Sequence, residues 1–175
     1  MFQEAALTDR QKHLRDSVEQ NFLDIWIVFL QQNVARHKLM SELAGNPTKA
    51  FLAEAIYWHE LLLLNEKGTS GDYTIVRATI NEEANQQFDD FLLNKKLTSS
   101  LLSELTGIPF ETARRNLKSM VSDQLLEEHE QFGFLINKQS AFHKACVERL
   151  NPFEQQNLVK LVSKILDGTD ITLLS

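Results

Sequence analysis

The stretch from Leu97 to Asn137, LTSSLLSELTGIPFETARRNLKSMVSDQLLEEHEQFGFLIN, constrains the fold more than any other part of the chain. Its punctuation predicts two short helices held at a bend. Thr98 or Ser99 can cap the first, because a short hydroxyl side chain accepts from the free amides of an opening turn. Gly107 can close it with the positive φ that helix C-termini favour. Leu102 and Leu105 are spaced to face a core. Gly107-Ile108-Pro109 then turns the chain, and Pro109 suits the start of the next helix, where a missing N–H costs nothing. That second helix is expected over roughly Phe110 to Gln124, and Leu125 to Asn137 predicts a short hairpin. Together these elements read as a helix-turn-helix with a wing.

The second helix divides by face. At about 100° per residue, Ala113, Leu117 and Met120 fall on one side and should be buried. Glu111, Arg115 and Lys118 fall opposite, with Thr112 and Arg114 on the flanks. Residue types on that outer side match the edges of bases in a major groove. Arginine bonds bidentately to guanine, glutamate accepts from the cytosine amino group, and Phe110 or Thr112 can touch a thymine methyl. Base contacts are therefore expected from Phe110, Glu111, Thr112, Arg114, Arg115 and Lys118. Lys95, Lys96, Thr98, Ser99 and Ser100 sit where side chains and helix-start amides can hold phosphates. Taken singly, each charged residue is explained by solvation. The whole constellation points to duplex DNA.

The same stretch resembles the winged helix-turn-helix of the cyclic-AMP receptor protein and related bacterial regulators. It carries the Glu-Thr-x-x-Arg core of their recognition helix as Glu111-Thr112-Ala113-Arg114-Arg115. Leu102, Leu105, Gly107, Ala113 and Leu117 fall at the family's apolar and turn positions, and Leu125-Leu126 leads into the wing. The resemblance implies base contacts by Glu111 and Arg115, with Thr112 near a phosphate. Phe110 departs from it, since the family often has arginine there. The match covers 41 of 175 residues. It does not extend upstream: the first 80 residues read as helix, with no alternating short strands of the kind that build a cyclic-nucleotide-binding β-roll.

Charge is unevenly placed. The chain carries −6 overall, yet Lys95 to Ser122 carries +3, leaving −9 elsewhere. A positive patch on an acidic body can orient an approach to a polyanion. Glu127, Glu128 and Glu130 in the expected wing oppose this, and turn the wing away from DNA or toward another partner.

The flanks read as helices. Thr8-Asp9-Arg10-Gln11 has capping-box spacing and opens a long segment, in which Leu14, Val18, Phe22, Ile25 and Phe29 recur at three- and four-residue steps. Phe22 to Leu30 is apolar on nearly every side, so it must be covered on more than one face. It is shorter than the ~20 residues that span a bilayer, and Asp24 interrupts it. Either a central core or a subunit interface would cover it; the interface is the favoured reading, and a homodimer would suit paired DNA half-sites. Gly45-Asn46-Pro47 stops this segment. Thr48 can cap the next helix, to about Asn65, with Phe51, Ala55, Trp58 and Leu62 as its stripe beside Leu52, Ile56 and Leu63. Tyr73 to Ile80 fits a strand or a helical connection. Asn81 can cap a further helix with Ala84, Phe88, Phe91 and Leu92 inward. Ser140 to Leu150 and Pro152 to Asp167 read as two helices, the second with Leu158, Leu161, Val162 and Ile165 on one face, and Thr169 to Ser175 as a fraying end.

The expected fold is therefore mainly α: a winged helix-turn-helix at 81–138, a helical dimerisation or sensor region at 1–80, and C-terminal helices at 139–175. Chemistry finds no motif. There is no Gly-rich phosphate loop, no paired-carboxylate motif and no metal-ligand spacing, so neither enzyme activity, cofactor nor metal is expected. Cys146 is the single cysteine, suited to packing in a reducing cytosol. His37, His59, His129 and His143 are scattered, and His59 beside Trp58 fits a helical core better than a pocket. Met-Phe-Gln-Glu-Ala-Ala lacks the basic and apolar regions of an export signal. The expected protein is a cytoplasmic bacterial transcriptional regulator, dimeric on duplex DNA, with an effector left open. The other classes are a protein-interaction adaptor using the acidic hairpin, and a small-molecule-binding helical protein.

Overall fold

The computed structural model describes residues 8–66 and 96–166. The expectations for Tyr73–Ile80, for the helix from Asn81 and its apolar face, for Lys95 and for Thr169–Ser175 lie outside those residues. What is described is mainly helical, with one small antiparallel sheet. The helices are α1 (Asp9–Gln20), α2 (Phe22–Ala44), α3 (Pro47–Glu66), α4 (Ser99–Thr106), α5 (Phe110–Ser122), α6 (Ala141–Ala145) and α7 (Asn151–Leu166), with a π-helical turn over Cys146–Leu150. The strands are β1 (Leu126–His129) and β2 (Gly133–Ile136). No described helix is long and apolar enough to cross a membrane.

The chain divides into two compact units, 1–39 with 147–175, and 40–146. In the first, the Thr8 side chain accepts from Gln11 N–H while the Gln11 side chain accepts from Thr8 N–H, which is the expected capping box. The long N-terminal segment is broken at Asn21, whose Nδ2 donates to the Ser17 carbonyl. The Asn21 backbone N–H donates to the same carbonyl at 3.1 Å, so two donors of one residue close α1. Helix α7 lies antiparallel to α2, as three polar pairs show. Arg36 Nε meets Glu154 Oε1 at 2.6 Å, Gln32 Nε2 donates to Asn157 O at 2.9 Å, and Lys164 Nζ lies 3.4 Å from Asp24. Ser17 Oγ donates to Ile165 O, bringing α1 to the same end.

In the second unit, α3 packs on α4, α5 and β2. Its cap is Asn46, whose Oδ1 accepts from Lys49 N–H at 2.9 Å, not Thr48. Its inward face also differs from the expected stripe. Leu52, Ala53, Ile56, His59 and Glu60 are buried, whereas Phe51 and Trp58 remain substantially exposed. A helix apolar all round has no periodicity from which to choose a face. His59 and Trp58 consequently point different ways and do not line one pocket. Around α3 gather Leu97, Leu102, Ala113, Leu117, Met120, Leu126 and Ile136, all buried.

The remainder follows its punctuation. Thr98 caps α4 by accepting from Leu101 N–H, and Gly107 closes it at φ 68°. Helix α5 ends in a Schellman motif: Leu125 N–H donates to Met120 O and Gln124 N–H to Val121 O, with Gln124 at φ 60°. The strands pair Leu126 with Ile136 and His129 with Gly133. Leu97 joins alongside through a bridge to Gly133. Beyond the hairpin, Ser140 caps α6, and the expected single helix to Leu150 becomes α6 plus the π turn.

Candidate nucleic-acid interface

Helix α5 separates its faces cleanly. Ala113, Leu117 and Met120 are fully buried, and Glu111, Arg115 and Lys118 are exposed. Thr112 and Arg114 are half-buried on the flanks. Lys49 of α3, well buried itself, pins the far end of the helix: its Nζ lies 2.8 Å from both Ser119 Oγ and Asp123 Oδ2. That contact holds the Asp123 carboxyl below the usual carboxylate range, with Ser119 adding to it.

The near end is open. Pro109 precedes α5 and no side chain caps it, which leaves its first-turn amides and the positive end of its dipole without a side-chain partner, next to exposed Phe110. Such a terminus can take a phosphate oxygen. At α4 the situation is reversed, because the Thr98 hydroxyl already accepts from Leu101 N–H at 3.2 Å. It retains only its own proton for a phosphate. Ser100 and Lys96 are exposed and Ser99 is half-buried.

Within the outer face the charges are partly spent on each other. Arg114 donates from Nη2 and Nε to Glu111 Oε2, at 2.8 and 3.0 Å. These bonds depress the Glu111 pKa and raise that of Arg114 above its ordinary value. An exposed pair of this kind is weak and opens readily. Arg115 and Lys118 make no hydrogen bond or ion pair among the described residues, and are the readiest cations. Asn116, not foreseen in the sequence, lies on the half-exposed flank and donates from Nδ2 to Thr112 O. Its position one turn beyond Thr112 was the available signal.

The hairpin presents the other charge. Glu127, Glu128 and Glu130 are all exposed on β1 and its turn. His129 folds back to stack on Phe132 at 4.9 Å, its Nδ1 accepting from Gln131 and Phe132 N–H.

Behind the hairpin lies a polar cluster that sequence reading missed, because its members are far apart along the chain. Buried Glu60 accepts from Ile136 N–H at 2.5 Å and pairs with Lys138. Lys138 also lies over the Tyr57 ring, and the Tyr57 hydroxyl meets His143 Nδ1 at 3.0 Å. Burial, helped by Lys138 and opposed by Glu60, lowers the His143 pKa below 6.5. The folded state therefore favours neutral His143, and this contribution is complete above pH 6.5 and lost as pH falls through the depressed folded value. The urea midpoint should decline on acidification below pH 6.5, and His143→Gln should flatten that decline. An identical pH profile in the variant would show that His143 does not contribute.

Compared with known protein families, curated proteins and solved structures, the chain matches none of them.

Proposed function

We propose that the chain is a sequence-specific, duplex-DNA-binding transcriptional regulator, with 97–137 as a winged helix-turn-helix and α5 as its reading helix. The observation that carries this reading is the two-faced character of α5. Its apolar side is fully buried while Glu111, Arg115 and Lys118 stand in solvent at one-turn spacing, behind an uncapped N-terminus. An exposed helix with these donors and acceptors fits a major groove and its edges. Function by occupancy requires no catalytic group.

Selection of bound duplexes from a random pool tests the reading, since an enriched motif is expected and an unenriched pool would remove it. Arg115→Ala should cost about 1–3 kcal/mol on the selected site and relax the preference at one base pair, as loss of a bidentate contact does. An unchanged preference takes Arg115 out of that role.

A second reading is favoured by the exposed Glu127, Glu128 and Glu130: a protein-interaction adaptor that offers an acidic hairpin to a basic partner. Direct binding to duplex separates the two, because phosphates repel an acidic hairpin. DNA affinity should fall steeply with ionic strength, in proportion to the phosphates neutralised.

A further inference from the structure

One side of α2 has nothing over it among the described residues. Leu23, Ile27, Leu30 and Val34 follow each other at steps of four, three and four, the spacing of a coiled-coil seam. Phe22, Trp26 and Phe29 run alongside, their rings stacked at 5.7 and 5.0 Å. All seven are between 37 and 70% exposed. Helix α7 lies on another side, through Gln32 and Arg36, and Phe29 borders the groove between the two helices with Leu158 and Leu161.

The size of this face identifies what can cover it. These side chains expose on the order of 800 Å² of largely apolar surface, close to what each subunit buries in a standard-size interface. A monomeric soluble protein rarely leaves a contiguous patch of more than a few hundred Å² in water. Its pattern identifies the partner. Steps of four, three and four read the same in either direction, and a two-fold interface requires a surface complementary to itself.

We infer that this face is a homodimer interface in which two copies of α2 lie antiparallel, with the axis passing between positions 28 and 29. Leu23 then meets the partner's Val34, and Ile27 meets the partner's Leu30. Antiparallel pairing also sets Glu19, just before α2, opposite the partner's Lys38. Parallel pairing would set like charges together. The dimer does not depend on DNA binding.

The test uses the full chain and sedimentation across low to high micromolar concentrations. The wild type should be dimeric. Ile27→Glu and Leu30→Lys should each be monomeric with helicity retained by circular dichroism, because both side chains already lie in solvent in the single chain. Mixing the two variants should restore a dimer, since antiparallel register places position 27 of one copy against position 30 of the other. A wild type that stays monomeric overturns the proposal, as do variants that still dimerise or a mixture that stays monomeric. A monomeric wild type that sediments with phosphatidylcholine–phosphatidylserine vesicles also overturns it, and gives the face to a lipid surface. Failure here leaves duplex selection free to succeed with a single half-site, whereas an unenriched pool leaves the dimer untouched.

Discussion

Gly133→Ala should destabilise the α3–α6 unit by about 3 kcal/mol or more, among the largest effects expected of a single methyl group. Two independent reasons converge. Gly133 has φ 81°, a conformation that alanine adopts only under strain. The added Cβ would also meet Leu97 backbone, with the carbonyl oxygen only 2.2 Å away. Backbone cannot swing aside as a side chain can. Leu97 is held there because its N–H donates to Phe132 O and its carbonyl accepts from Phe134 N–H. The variant must break that bridge or distort the turn, and either loosens the segment leading into α4. A urea midpoint close to wild type would show that the bridge is dispensable.

Glu60→Ala should cost about 2–3 kcal/mol, because it strands a buried donor. The carboxylate is the acceptor for Ile136 N–H, and Ile136 is fully buried. Lys138 also loses its counter-charge, although it is half-exposed and regains water. Glu60→Gln keeps an acceptor for the amide and should cost about half as much. Hydrogen exchange at Ile136 distinguishes the two variants. Fast exchange in the alanine variant and slow exchange in the glutamine variant is the expected pattern, and equal protection in both would refute it.

Legibility in the sequence followed the contrast between neighbouring residues. Helix α5 could be read because polar and apolar residues alternate sharply around it, so Ala113, Leu117 and Met120 could be placed inside from spacing alone. Thr98 and Gly107 could be read because a cap and a left-handed turn each demand a particular chemistry. Helix α3 could not, since Phe51 and Leu52 are equally apolar and only tertiary packing chooses between them. The same difficulty hid the outward side of α2. Lys49, Glu60 and Gly133 were invisible for another reason. Their partners Asp123, Ile136 and Leu97 lie 74, 76 and 36 positions away, beyond any local pattern. Of the expected interface, the exposed residues of α5 were legible; the bond between Arg114 and Glu111 was not.

That bond has a consequence for discrimination under the proposed function. A duplex presenting only phosphates can attract the guanidinium while leaving the carboxylate stranded near negative charge. A base step offering both an amino group and an acceptor satisfies the two ends at once. Because the exposed pair is weak, it biases binding toward the right site over a merely anionic one only by a small increment.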